Sequence, residues 1–204
     1  MVGTWHPESY ASRMPRGRKL QRSTHANFRS PIIVKDENFL EKLIEKKADD
    51  EDIFLLLLDS IQDPHNLGAC IRSAEAAGCD AIIIPRHRTS PVTETVRHVA
   101  CGAAEVLPII QVGNLARTLD LLRDHFINVV GTGDEESDPI YSTELTGPLA
   151  LVMGAEGEGL RRLTGEKCDH LVSIPMLGDT PCLNVSVATG ICVFEAVRQR
   201  LTTT

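Results

Sequence analysis

Hydrophobic and polar positions alternate in blocks along this chain, and each block has the length of one element. From Pro31 to Asp52 the chain is polar and charged. Phe39, Leu43 and Ile44 there fall at helical spacing, which predicts a short helix from Glu37 to Lys47 facing solvent on most sides. A rhythm then sets in. The aliphatic run "IFLLLLD" (53–59) reads as a buried strand. "NLGACIRSAEAAG" (66–78) reads as a helix closed by Gly78. "AIIIP" (81–85) is a second strand, and "TETVRHVACGAAE" (93–105) is mostly helical. "VLPII" (106–110) is a third strand. Residues 114–125 form an amphipathic helix with Leu115, Leu119 and Leu122 on one face. Strands follow at 127–132, 149–154 and 170–176. A long helix (184–201) ends the pattern, with Val187, Ile191, Phe194 and Val197 in a stripe.

Short aliphatic strands alternating with helices predict an α/β domain, a mainly parallel sheet with helices on both faces. The expected organisation is a basic arm (1–30), a connecting helix or linker (31–52) and one domain (53–204). No internal repeat or low-complexity tract interrupts it. In such folds ligands sit at the carboxyl ends of strands. The loops after Leu58, Met153 and Ile174 therefore become the candidates for chemistry.

Composition narrows the classes. At 204 residues, 42% hydrophobic and 24% charged, the chain suits one well-buried core. No apolar stretch reaches the roughly 20 residues that span a bilayer. The six cysteines stand singly with no C-x-x-C spacing. Buried free thiols in a reducing, cytoplasmic setting are expected, rather than zinc or disulfide chemistry. No His pair has metal-ligand spacing, so no metal is expected. The net charge of −7 argues against a general nucleic-acid coat, but it is unevenly spread. Six basic residues against Glu8 leave residues 1–30 at +5, and the rest of the chain at −12. That arm reads as a solvated linker or remnant, or as a contact for RNA phosphates. A transit peptide is a third reading, weakened by the arm's Pro, Gly and His content.

In the first loop Asp63-Pro64 sets a turn and Asn66 is placed to cap the helix that follows. Arg72, six residues on, sits among small apolar neighbours and calls for an anionic partner such as phosphate. In the second loop, "GAEGEG" (154–159), the glycines run G-x-x-G-x-G, not the dinucleotide order G-x-G-x-x-G, and no G-K-[ST] follows. Glu156 and Glu158 would repel a pyrophosphate. A ligand that needs close backbone approach but brings no phosphate fits better, and S-adenosylmethionine is one. In the third loop Asn184 is a cap candidate for the last helix, with Ser186 in its first turn.

Together these loops resemble the motifs of the SpoU (TrmH) family of RNA ribose 2′-O-methyltransferases. The carriers are N-x-x-x-x-x-R in "DPHNLGACIRSAEAAG", the G-x-E-G-x-G turn in "LVMGAEGEGLRRLT", and L-N-V-S-x-A in "LNVSVATGICVFEAVRQR". The resemblance is close from about Ile53 to Arg200. It implies an α/β methyltransferase domain of SPOUT type with a deep C-terminal trefoil knot. It implies S-adenosylmethionine as cofactor, touched by Gly154, Ile174 and Leu183, and Asn66, Arg72, Glu156 and Asn184 as catalytic positions. A homodimer is implied, with one subunit's catalytic residues beside the other's cofactor. The implied activity is 2′-O-methylation of a guanosine ribose in large-subunit (23S) rRNA. The alternatives are tRNA ribose methylation and a non-catalytic ribosome-binding protein; a dehydrogenase-like nucleotide binder fits the glycine order less well. Cys182 stands where the family commonly has serine, and the loop 177–181 is unlike its counterpart. Fewer residues precede the sheet than a small RNA-binding domain and linker would need, so an excised catalytic domain or another means of RNA selection is expected.

Overall fold

The computed structural model describes residues 32–47, 52–133, 137–155 and 157–202. The arm 1–30 and Glu156 lie outside the described residues. Among the described residues eight parallel strands form one sheet: β1 (Val34–Lys35), β2 (Phe54–Leu58), β3 (Ala81–Pro85), β4 (Ile109–Val112), β5 (Asn128–Thr132), β6 (Asp138–Pro139), β7 (Leu149–Met153) and β8 (His170–Ser173). Their order is β1-β4-β3-β2-β7-β5-β8-β6. β2 sits in the middle, with Leu55 opposite Ala81 on one side and Ala150 on the other.

The helices are α1 (Glu37–Lys47), α2 (Pro64–Ala76), α3 (Glu94–Ala100), α4 (Ala103–Val106), α5 (Leu115–Asp124), α6 (Arg162–Glu166) and α7 (Val185–Thr202). Strand alternation splits the core in two. Phe54, Leu56 and Leu58 point into a cluster built with α2, α3, α4 and α7. Ile53, Leu55 and Leu57 point the other way, against α1 and α5. Both faces of the sheet are thus covered, which is why β2 reads as an unbroken apolar run. All five of its residues are buried. At about 1.5–3 kcal/mol per fully buried aliphatic side chain, this strand alone accounts for on the order of 10 kcal/mol of gross burial free energy.

Several expected elements move. β1 and β6 are two-residue strands, too short for periodicity to reveal. β1 pairs with β4, and α1 buries Leu40 and Ile44 completely or nearly so. Residues 32–47, expected within a connecting segment, therefore complete the sheet and the second core cluster. The helical stretch 93–105 breaks where Cys101 (φ 50°) and Gly102 (φ 92°) both turn left-handed. The second piece, α4, takes up Val106, and β4 starts at Ile109 instead of residue 106.

Two corrections bear on the site. Asn66 does not cap α2. Asp63 does, its side chain accepting from the His65 N–H at 2.9 Å, with Pro64 in the first turn. That backbone donor holds the Asp63 carboxyl below its usual range. Asn66 is thereby freed to use its side chain elsewhere. The α7 stripe is also not the buried face: Val187 and Phe194 are half exposed. The face that packs on α2 carries Val185, Thr189, Cys192, Val193 and Ala196. Apolar residues surround this helix, so periodicity alone could not choose a side. Thr189 is buried because its hydroxyl meets Cys70 Sγ at 3.4 Å.

Candidate active site

Every strand runs the same way, so all carboxyl ends share one edge. The three loops named from the sequence emerge there, from β2, β7 and β8.

The first and third loops meet directly. Asn184 Nδ2 donates to Asn66 Oδ1 at 3.0 Å. Asn184 is fixed from behind, because its Oδ1 accepts from the Ser186 N–H at 3.0 Å and from the Ser186 hydroxyl. It therefore caps α7, as its position before that helix suggested. Below this pair α2 and α7 stay in contact at Cys70–Thr189 and near Ser73–Gly190. Gly68 lets α3 press close to α2: a Cβ there would lie 2.8 Å from both Val96 O and Val99 Cβ. So α2 is clamped on two sides, and Asn66 and Asn184 meet because two packed helices start at the same level.

Arg72 lies apart from them. It is exposed on α2, about 9 Å further along the axis from Asn66 at 1.5 Å per residue. Its Nη1 lies 3.4 Å from Cys101 Sγ, the thiol presented by the left-handed break after α3. Among the described residues it meets no carboxylate, and it does not touch Asn66 or Asn184.

The glycine turn explains itself in part. Ala155 and Gly159 exchange backbone hydrogen bonds of 3.0 and 2.9 Å, closing a tight antiparallel bridge. Gly154 is buried, and a Cβ there would lie 2.2 Å from Gly159 C and 2.4 Å from Leu160 N. The first glycine thus makes room for the turn's own returning backbone. Gly157 (φ 75°) and Gly159 (φ 66°) have left-handed backbone, and nothing lies within 4 Å of a Cβ at either. These two supply the open main chain that a ligand could approach. Glu158 is exposed beside them.

Sequence reasoning missed what anchors this turn. Asp59 directly follows β2, is fully buried, and is gripped by Arg161 just past the turn. Arg161 Nε and Nη2 approach Asp59 Oδ1 at 2.7 and 2.6 Å, and the Arg161 N–H approaches Oδ2 at 3.3 Å. Burying a lone carboxylate costs several kcal/mol, so this fork holds both chain segments in place. Thr132 adds a second tie: its hydroxyl donates to Val152 O and accepts from the Gly154 N–H at 3.3 Å. The available signal was an acid ending an otherwise apolar strand.

Ile174 follows β8 directly and is half-buried against the first cluster. Leu183 is half-buried one residue before Asn184, while Cys182 is exposed. β5 separates β7 from β8, which sets Gly154 and Ile174 roughly 10 Å apart across two strand spacings. The Cys168 and Cys192 thiols are pushed up to about 12 by burial, so neither is a nucleophile at neutral pH. Among the described residues no cluster of His, Cys, Asp or Glu could hold a metal ion, and no helix is long and apolar enough to cross a membrane.

Comparison with known proteins places this arrangement. The chain is 61% identical over 164 residues to a 23S rRNA (guanosine-2′-O-)-methyltransferase of Photorhabdus laumondii, covering 80% of this chain and 66% of that protein. The Escherichia coli protein of the same name is 58% identical over the same length, with the same coverage. The chain thus spans just under two thirds of these relatives. Among solved structures, the SpoU methyltransferase AviRb from Streptomyces viridochromogenes, in complex with AdoMet, superposes with a TM-score of 0.71 at 29% identity. That match covers 78% of this chain and 64% of AviRb. The A. aeolicus TrmH/SpoU tRNA modifying enzyme gives 0.69 at 28%, covering 82% and 85%. The model of the SpoU rRNA Methylase family matches residues 53–194. With its parallel sheet, its glycine turn and its paired asparagines at one edge, the chain belongs to the SpoU rRNA methylase family.

Proposed function

We propose that this chain methylates the ribose 2′-hydroxyl of a guanosine in 23S rRNA, using S-adenosylmethionine. The observation that carries this reading is the Asn66–Asn184 contact at the edge that also carries the glycine turn. It joins two motifs 118 residues apart. The chain's 61% identity to a named rRNA guanosine methyltransferase supports the substrate.

The turn suits the cofactor. Its open glycines at 157 and 159 expose main-chain groups, and an exposed carboxylate beside them favours a sulfonium cation over a pyrophosphate. Gly154, Ile174 and Leu183 would line its place; S-adenosylmethionine supplies an electrophilic methyl on sulfur. The chain's residues do the rest. Asn66 and Asn184 would orient the ribose. A guanidinium is a poor base, so proton abstraction is not the part assigned to Arg72. Arg72 would hold the neighbouring phosphate and stabilise the charge developing on the 2′-oxygen, whose proton would pass to solvent as the O–CH3 bond forms in line with the breaking S–CH3 bond and S-adenosylhomocysteine leaves as the neutral thioether. Glu156, outside the described residues, would orient these groups. The C-terminal path of this reading is the family's trefoil knot.

A homodimer completes the site. Within one chain Arg72 stands away from the asparagine pair, so a second copy would bring it to the partner's cofactor. The half-exposed Val187 and Phe194 with Ile191 between them form an apolar stripe on α7 suited to a self-contact. Phe194→Glu is expected to give a monomer by sedimentation and to reduce methyl transfer at least tenfold. A dimer that persists with full activity refutes the stripe. The six cysteines are all free thiols, which supports a reducing, cytoplasmic setting.

The deciding experiment is methyl transfer from labelled S-adenosylmethionine to rRNA and tRNA lacking ribose methylation, with nuclease mapping. Label at one 2′-O-methylguanosine of 23S rRNA is the expected result. Label only in tRNA, the substrate named for the A. aeolicus neighbour, keeps the chemistry and replaces the substrate. No label, with cofactor bound, points to a non-catalytic binding protein.

A further inference from the structure

The same sheet edge carries a second feature outside the three loops. A cleft of about 580 Å³ opens where β1, β4 and β3 end. Lys35, Lys42 and Arg86 line it, with one acid, Asp36, and the neutral side chains of Asn38 and Gln111. Residues 31–204 are strongly acidic in sum, so three cations converging on one cleft stand out against the surrounding field. None of the three is ion-paired among the described residues. Lys35 Nζ is held over the Phe39 ring, 5.3 Å from its centroid. Asp36 in the lining and Glu37 beside it each take a main-chain amide, and Asp36 Oδ2 also accepts from Asn38 Nδ2 at 3.4 Å, which leaves the cleft with three cations against one acid. Asp36 accepts from the Phe39 N–H at 3.2 Å, and Glu37 accepts from the Gly113 N–H at 2.6 Å.

The cleft is stitched to the first loop. The Arg86 N–H donates to Val112 O at 2.8 Å, and the Ser90 N–H donates to Ile61 O at 2.8 Å. The segment 86–90 therefore bridges from the cleft to the chain leading to Asp63 and Asn66, with Arg86, His87 and Arg88 exposed along it. β4 and β2 are two strand spacings apart, roughly 10 Å.

We propose that this cleft holds the phosphodiester backbone of the RNA strand flanking the target ribose. The inference rests on the function proposed above, and it names where the substrate strand runs before it reaches Asn66. Lysine and arginine supply the charge, while the two amides donate to phosphate or sugar oxygens without reading sequence. A cleft of this kind sets register, not base identity.

The test measures RNA binding and methyl transfer by the full chain across a salt series, using an RNA fragment that wild type modifies. For single strands the slope of log K against log salt is about −0.7 per phosphate neutralised. Lys35→Ala/Lys42→Ala/Arg86→Ala should make the slope shallower by about 2 and raise the KM for RNA at least tenfold near 0.15 M salt. S-adenosylmethionine affinity should not change. Lys35→Arg/Lys42→Arg/Arg86→Lys, which keeps the charges, should restore the slope. Arg117→Ala, at an exposed cation on α5 outside the cleft, should leave it alone. An unchanged slope in the triple variant overturns the proposal. So does an equal effect per charge in the control, since that marks a diffuse field rather than a site. If wild type binds RNA but transfers no methyl, the functional reading fails, and the binding slopes still decide the cleft.

Discussion

Arg72→Ala is expected to abolish methyl transfer, with a fall in kcat on the order of 10²–10³, while S-adenosylmethionine affinity stays within a few fold. That size follows from losing one group aimed at the charge developing in the transition state. The protein should remain folded. Arg72 is exposed, its described contact is the Cys101 thiol at 3.4 Å, and it balances no buried carboxylate. Surface substitutions of this kind change stability by about 0.5 kcal/mol or less. Arg72→Lys keeps the charge but loses the planar fork, so it should recover part of the rate and not all of it. The measurement is single-turnover methyl transfer beside calorimetric cofactor binding. Transfer by Arg72→Ala at near wild-type rate would remove the residue from the chemistry.

Gly154→Ala is the second large effect, and it acts through shape. The added methyl would meet Gly159 C, Leu160 N and Gly159 O at 2.2 to 2.5 Å, all main-chain atoms. No rotamer relieves that. The returning strand of the turn must move, against the Ala155–Gly159 bridge on one side and the Asp59–Arg161 fork on the other. Overpacking of this order costs about 1–3 kcal/mol, and cofactor affinity should fall more than tenfold because the turn is the part displaced. Gly157→Ala is the matched comparison. Its surroundings are open and only its left-handed backbone is penalised, by about 1–2 kcal/mol. Thermal unfolding and cofactor titration of both variants separate the two causes. If Gly154→Ala binds the cofactor like wild type, the collision has been relieved elsewhere and the turn is not the cofactor's seat.

Much of the architecture was legible because its signals are local. Aliphatic runs of strand length, separated by helical stretches, can be buried on both faces only in a covered parallel sheet, and β2, β3 and β7 appear within a residue or two of their expected bounds. The amphipathic helix α5 buries the expected Leu115, Leu119 and Leu122. The loops proposed to carry the site could also be singled out from the sequence, since asparagines at helix starts and a glycine turn after a strand have a restricted set of uses. Two of the misreadings share one cause. Where competing residues had nearly equal local merit, a tertiary contact chose between them. Asp63 and Asn66 could both cap α2, and only the approach of Asn184 decides that Asn66 is wanted elsewhere. In α7 the apolar residues encircle the helix, and the close seat on α2 selects the small ones.

By itself, then, the sequence determined the α/β class and the longer strands and helices from Phe54 onward, and it pointed to the carboxyl edge of the sheet as the place for chemistry, because these follow from periodicity and backbone preference over short stretches. Tertiary structure decided the rest. It set Asn66 against Asn184 across 118 residues, made Gly154 obligatory through the turn's own backbone, and tied Asp59 to Arg161. It also gathered Lys35, Lys42 and Arg86 into one cleft. Each of these depends on which strands are neighbours and how closely helices pack, and no local pattern carries that information.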